Sequence, residues 1–417
     1  EEQEQPAAPL THDDVYEVMG LLDTADLLGL AALDIPALKD PPFHPGTQPR
    51  LAGSRNIFEV IREEDVFLHH PYDSFATSVE RFVQTAADDP DVAAIKLTLY
   101  RTGGDSSIAR TLAHAAERGK QVAVLIELQA RFDEENNIIW AQRLEDVGVH
   151  VSYGVAGLKT HAKLALVVRR EGDSMRRYVH IGTGNYNPKT ARLYTDFGLL
   201  SDDPALGADL TDLFNVLTGF ASPSGYRKLV VAPRGMRERF LEMIRREIRH
   251  REAGRPAGII AKMNALVDPD IIAALYEASR AGVTIDLIVR GICCLRPGLP
   301  GVSENIRVIS IIGRFLEHSR VFYFTNGGEE EVYIGSADWM PRNLDRRIEA
   351  VVPIENPAHR ASLRALLELM WSDNRQAWEL GADGTWEQRR PPSPEAERAT
   401  HRILAAAGGD PARLVTV

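Results

Sequence analysis

The sequence predicts an α/β protein made of two duplicated α/β halves packed around a shared cleft. Three observations carry this. Strand-like apolar runs alternate with helical stretches from residue 56 onward, the pattern of a layered sheet with crossover connections. After Gly225 the pattern starts over. Each half also holds a histidine two residues before a cation, at the head of an apolar run. These are His161-Ala162-Lys163 before Leu164-Ala165-Leu166-Val167-Val168, and His318-Ser319-Arg320 before Val321-Phe322-Tyr323-Phe324. Such runs read as buried strands, and two-residue spacing on a strand puts His161 and Lys163 on one face.

In chain order, residues 15–30 show apolar spacing of three and four, a short helix, and five prolines between Pro36 and Pro49 then mark a linker. Asp73-Ser74 supply an N-cap for a helix to about Ala86. The spacing predicts a strand at 92–100, a helix at 106–118 stopped by Gly119, and a strand at 122–128. A helix at 136–146 and a strand at 149–153 follow. In the second half, 259–263 reads as a strand, 269–281 as a helix stopped by Gly282, and 285–289 as a strand. Beyond Leu363 a helix runs to Leu380, and a proline-rich tail from Arg389 precedes a last helix at 396–406.

The two halves overlay. Ala115 to Gly119 before the run 122–126 matches Ala278 to Gly282 before 285–289, and Ile181-Gly182-Thr183-Gly184-Asn185 matches Ile334-Gly335-Ser336-Ala337-Asp338. The histidine falls between these landmarks in both, which makes duplication a better account than chance similarity.

At 417 residues the chain is long enough for two to three cores, and 44% hydrophobic with 26% charged residues is ordinary for a globular protein. A net charge of -11 argues against nucleic acid as a partner, so a polyanionic substrate must meet a local basic pocket. The two cysteines, Cys293 and Cys294, are adjacent and read as reduced thiols in a cytoplasmic setting. No run approaches about 18 apolar residues. The acidic opening Glu1-Glu2-Gln3-Glu4-Gln5 is no signal peptide, and without an initiator Met the chain reads as an excised or incomplete piece.

Two histidines from two halves can divide phosphoryl transfer between them. One attacks phosphorus; the other moves protons or positions a phosphate. Because charge spreads over the transferring group, catalysis rests on positioning and cations, the role given to Lys163 and Arg320. Asn185 and Asp338 in the two turns are placed to orient the imidazoles. The bland alternative for each histidine is a satisfied core residue.

A pair of His-x-Lys/Arg strands, each followed by a Gly-Ser/Thr-Gly/Ala-Asn/Asp turn, resembles the phospholipase D fold. That family has an acidic residue seven after the histidine, where this chain has Val168 and Thr325. Longer stretches resemble polyphosphate kinase. They include His69-His70-Pro71-Tyr72-Asp73-Ser74-Phe75, Lys96-Leu97-Thr98-Leu99-Tyr100-Arg101, Ala130-Arg131-Phe132-Asp133-Glu134 and Tyr194-Thr195-Asp196. Val289-Arg290-Gly291-Ile292-Cys293-Cys294 and Arg342-Asn343-Leu344-Asp345-Arg346-Arg347 continue the likeness, which covers roughly residues 56–375.

The resemblance implies two phospholipase-D-like catalytic domains, 47–225 and 226–413, after residues 1–46 as the end of a helical head domain and its linker. It implies reversible transfer of the ATP terminal phosphate to inorganic polyphosphate, with His161 as phosphorylated nucleophile and His318 as assisting acid/base. Nucleotide contacts carry over to Tyr194, Arg290 and His318. A magnesium (Mg2+) site carries over to the neighbourhood of Arg101 and Arg131. Guanidinium has no lone pair, so these arginines read as holding phosphate oxygens that the hydrated ion also touches, with Asp133, Glu134 and Glu135 reached through water. ATP/ADP and polyphosphate are the expected partners, with a homo-oligomer and peripheral membrane association. Two rivals stay open here: a phosphodiesterase using the same histidines, and a non-catalytic polyphosphate-binding fragment.

Overall fold

The computed structural model describes residues 20, 27–100, 106–128, 134–219 and 225–410. It divides into two units, Glu1–Phe43 and His44–Val417. In the first, a short helix Leu27–Ala32 and a 3₁₀ turn Pro36–Leu38 carry exposed leucines. Most of the helix expected at 15–30 lies outside the described residues.

The second unit contains two sheets. The first is built from β1 (Val66–His70), β2 (Val92–Leu99), β3 (Gln121–Ile126), β4 (His150–Ser152), β6 (Lys163–Glu171), β7 (Ser174–Gly182) and β8 (Tyr194–Ser201), in the order β1-β8-β7-β6-β2-β3-β4. The second follows β18 (Trp386–Gln388), β17 (Ala377–Leu380), β12 (Ile306–Ile311), β11 (Thr284–Val289), β10 (Gly258–Met263), β14 (Val321–Phe324), β15 (Glu331–Gly335), β16 (Arg347–Pro353) and β5 (Lys159–Thr160). β9 (Val230–Ala232) also pairs with β16.

In both sheets three strands run parallel (β2, β3 and β4; β10, β11 and β12) and three follow antiparallel (β6, β7 and β8; β14, β15 and β16). The duplicated α/β halves expected from the sequence are therefore the observed ones. Helices cover the parallel part, as crossover connections require. Ser106 caps the helix Ser107–Glu117 through Ala109 N (3.2 Å), and Asp268 caps Pro269–Arg280 through Ile271 N (3.1 Å). Both helices stop at a glycine in the left-handed region, Gly119 (φ 80°) and Gly282 (φ 86°), as read from the sequence.

The halves are tied by a reciprocal exchange. β5, just before His161, runs parallel to β16 of the second half, Thr160 opposite Ile348. β13 (Leu316–Glu317), just before His318, runs parallel to β8 of the first half, Glu317 opposite Thr195. Each histidine is thus delivered by a two-residue strand that has crossed to the other half.

Some expectations fail. Of the Asp73-Ser74 pair expected to cap a helix, Ser74 does so weakly, its Oγ accepting Thr77 N at 3.4 Å, whereas Asp73 Oδ2 accepts His69 N at 2.8 Å, and the helix opens as a π-helical turn Ala76–Glu80 leading into Arg81–Asp88. The run read as one helix to Leu380 is a helix Pro357–Ser372 followed by strand β17. The break follows from Asp373, whose Oδ1 accepts the amides of Arg375, Gln376 and Ala377 and turns the chain. β1 went unread because its two histidines mask the apolar alternation of an edge strand.

Candidate active site

His161 sits in the two-residue gap between β5 and β6, so the strand starts at Lys163 and not at the histidine. Its own amide and that of Ala162 both donate to Ile348 O (2.9 and 3.0 Å), which fixes the backbone against β16. Thr98 on β2 closes the other side, donating to Ala162 O at 2.8 Å. Tyr100 meets the imidazole edge-on, ring centres 5.1 Å apart.

The ring is oriented from the opposite half. His161 Nδ1 lies 2.9 Å from Glu349 Oε2 on β16. Glu349 is fully buried and receives Ser336 Oγ (2.5 Å) on one oxygen and Asn343 Nδ2 (2.6 Å) on the other. Two donors aimed at the carboxylate assign it as an acceptor, so Nδ1–H of His161 donates and Nε2 keeps its lone pair. Burial, then Lys163, Arg347 and Arg320, holds the His161 pKa well below the ordinary histidine value. The imidazole is neutral, the state needed for attack.

His318 repeats the device with the halves exchanged. Its Nδ1 lies 2.8 and 3.0 Å from the two oxygens of Asp196 on β8, and Asp196 Oδ1 accepts Thr183 Oγ1 at 2.6 Å. Burial opposes ionisation of Asp196, but His318, Thr183 and Arg320 together bring its pKa below the usual carboxylate value. Burial carries His318 down to about 4. Its Nε2 is 3.3 Å from Arg320 Nη1, and Tyr194 packs beside the ring with centres 5.3 Å apart.

His318 acts electrostatically on His161, and Lys163 acts on both rings, so the two lie in one electrostatic environment. Arg290 is part of it: half-buried, it donates to Glu317 O at 3.1 Å. The expected site residues in the described regions, His161, Lys163, Tyr194, Arg290, His318 and Arg320, are therefore all drawn into this region. Arg101 and Arg131 lie outside the described residues, as does Asp133. Glu134 and Glu135 are exposed on the first turn of the helix Glu134–Asp146.

Two assignments change. Asp338 does not orient an imidazole; it holds Arg320 through both oxygens (3.1 Å each) and accepts Asn264 N. Asn185 does not either, its amide oxygen being buried without a partner. The orienting carboxylates are Asp196 and Glu349, each thirteen residues beyond the hydroxyl that holds it, Thr183 and Ser336. That equal spacing in duplicated turns was the readable signal. Lys163 is not a permanent cation either: burial brings it to about 7, its ammonium donates to His161 O and it lies 5.3 Å over the Tyr100 ring.

Comparison with known proteins agrees with this architecture. The family model described as polyphosphate kinase C-terminal domain 1 matches residues 56–223, and that of C-terminal domain 2 matches 229–400. A polyphosphate kinase of Thermosynechococcus vestitus is 60% identical over 94% of this chain and 57% of its own length. One of Streptomyces coelicolor is 58% identical over 89% of this chain and 51% of its own. The chain thus spans about half the length of the curated relatives it matches. The crystal structure of polyphosphate kinase from Porphyromonas gingivalis superposes with a TM-score of 0.84 at 38% identity, over 91% of this chain and 58% of that one. Phosphatidylserine synthase from Haemophilus influenzae shares the fold alone (TM-score 0.50, 10% identity, 85% of this chain and 95% of that one). The chain belongs to the polyphosphate kinase family and carries both of its C-terminal domains.

Proposed function

We propose that the chain carries the catalytic centre of a polyphosphate kinase, moving the terminal phosphate of ATP reversibly onto inorganic polyphosphate through a phosphohistidine. The single observation that carries this reading is the crossed pairing of His161 with Glu349 and His318 with Asp196. Each imidazole is held neutral with Nδ1–H bound to a carboxylate and the lone pair left on Nε2, the arrangement a reversible phosphoryl carrier needs.

His161 Nε2 attacks the terminal phosphorus. An N–P bond forms as the P–O bond to ADP breaks, while the proton stays on Nδ1, donated to Glu349. Polyphosphate then attacks the phosphohistidine and regenerates the imidazole. Arg320, Lys163 and Arg347 stabilise the charge on the transferring oxygens, and His318 assists as acid/base. Tyr194 and Arg290, which flank His318 and its strand, are assigned to the nucleotide.

Among the described residues no group of three His, Cys, Asp or Glu side chains could hold a metal ion. Magnesium is assigned to the nucleotide phosphates, not to a protein cage, where it would add cationic charge to the transferring group. The domain limits 47–225 and 226–413, with 1–46 as the end of a head domain, are part of this reading and are supported by the family matches at 56–223 and 229–400. So is a cytoplasmic homo-oligomer touching membrane only peripherally. In its support, both cysteines are free.

The test is ATP formation from ADP, magnesium and polyphosphate, read by luciferase. The wild-type chain is expected to make ATP, and His161→Ala and His318→Ala to lose that activity by at least a hundredfold. No ATP from the wild type, or undiminished ATP from His161→Ala, contradicts the reading.

A further inference from the structure

Behind His318 lies a buried polar cluster. Glu317, Lys262 and His401 are each no more than 2% exposed. Glu317 Oε2 meets Lys262 Nζ at 2.8 Å and accepts Thr195 Oγ1 at 2.8 Å. Its other oxygen, Oε1, is 2.7 Å from His401 Nε2 on the C-terminal helix Thr400–Ala406. Lys262 also donates to the carbonyl (2.9 Å) and hydroxyl (2.8 Å) of Ser319, on the far side of His318. At the matching places the first half has the neutral Thr98, bonded to Ala162 O, and Thr160, whose backbone amide donates to the buried Glu127 Oε2 at 2.8 Å.

The cluster compensates for a weak strand. β13 is two residues long, and His318 N reaches Thr195 O only at 3.3 Å. A pairing that short cannot fix the next residue to within a fraction of an ångström. The Glu317 side chain supplies the missing constraint: three donors from β10, β8 and the C-terminal helix converge on it. The backbone of the same residue accepts Arg290, and the residue before it lies opposite Tyr194. His401 is set for its part, because Phe315 N (3.3 Å) and Gln376 Nε2 (3.4 Å) both point at its Nδ1, which leaves the proton on Nε2 for Glu317.

We infer that His401 is a positioning residue for the phosphotransfer centre: through Glu317 it clamps β13 and so holds His318 on Asp196, making the C-terminal helix a working part of the site. This rests on the proposed function for its kinetic consequence but not for its structural one. Removing His401 leaves a buried carboxylate short of a donor, and Glu317 must move to find another.

The experiment compares His401→Leu with His401→Gln, whose amide nitrogen reaches the place of Nε2. It is done in the whole chain, with folding checked by thermal unfolding. Nitrogen-15 spectra of the histidine rings, with His318 assigned by its loss in His318→Asn, are expected to show one Nδ1–H tautomer in wild type and H401Q. In H401L a mixture of tautomers is expected. ATP formation is expected to fall about tenfold in kcat in H401L, with KM for ADP shifting less than about twofold, and to recover in H401Q. Unchanged His318 signals and kcat in folded H401L, or no recovery in H401Q, overturn the inference. If H401L does not fold, His401→Asn against H401Q decides, since asparagine places its amide at the Nδ1 position: equal behaviour overturns it. An inactive wild type that still shows the tautomer change sinks the kinase reading and leaves the clamp standing.

Discussion

Glu349 decides what His161 can do. Its carboxylate accepts the hydrogen bond from Nδ1–H and leaves Nε2 nucleophilic, so Glu349→Gln removes the charge and permits the wrong tautomer while keeping the shape. Phosphorylation of His161 is expected to slow by about 10²–10⁴-fold in that variant, read as the initial rate of acid-labile labelling. Other buried histidines report on pH. Burial lowers His69 to about 4 and His180 to about 3. Both take up protons more readily unfolded, near 6.5, than folded, so their stabilising effect is full above 6.5 and is lost as pH falls from there through about 4 for His69 and about 3 for His180. A drop on the order of 3 kcal/mol per ring is expected across that window, measurable as a shift in the urea midpoint. A flat profile would mean these rings are not buried as neutral groups. His161 and His318 were legible from their duplicated spacing; Asp196 and Glu349 shared a readable distance from Thr183 and Ser336, but which histidine each serves shows only when the strands cross.

At the scale of elements, the turns after β7 and β15 carry more of the site than their length suggests. Thr183 and Ser336 each hold the carboxylate that orients a histidine of the other half. Gly184 lies against Asp196, and an added Cβ would collide with its carboxylate. Gly184→Ala is therefore expected to displace Asp196 from His318. It should cost about 1–3 kcal/mol in stability and a larger share of activity than of folded protein. Measuring unfolding and ATP formation on one preparation checks it, and a variant with full activity would show that the turn is slack. Five of the six parallel strands were readable because burial on both faces makes their runs mainly apolar, whereas β12, with Arg307 and Ser310 in its run, went unread. β5 and β13 were not, since two-residue strands have no periodicity and exist only through pairing with a distant partner.

For the whole molecule, the crossed arrangement means that neither half owns a complete site. His161 comes with Glu349 from residues 226 onward, and His318 with Asp196 from before 225. Residues 44–225 and 226–410 produced separately are expected to show no ATP formation even where each folds. An active isolated half would contradict the exchange of β5 and β13 between the sheets. The duplication was visible in the sequence as matched landmarks, but its consequence, a pseudo-twofold swap of orienting groups, emerges only in three dimensions.

The most direct measurement is the site of labelling after brief exposure of the chain to γ-labelled ATP with magnesium. The account predicts a label stable in base and lost in acid, on a peptide containing His161, absent from His161→Ala and strongly reduced in Glu349→Gln. Label that persists in His161→Ala, or that resides on another residue, would contradict it.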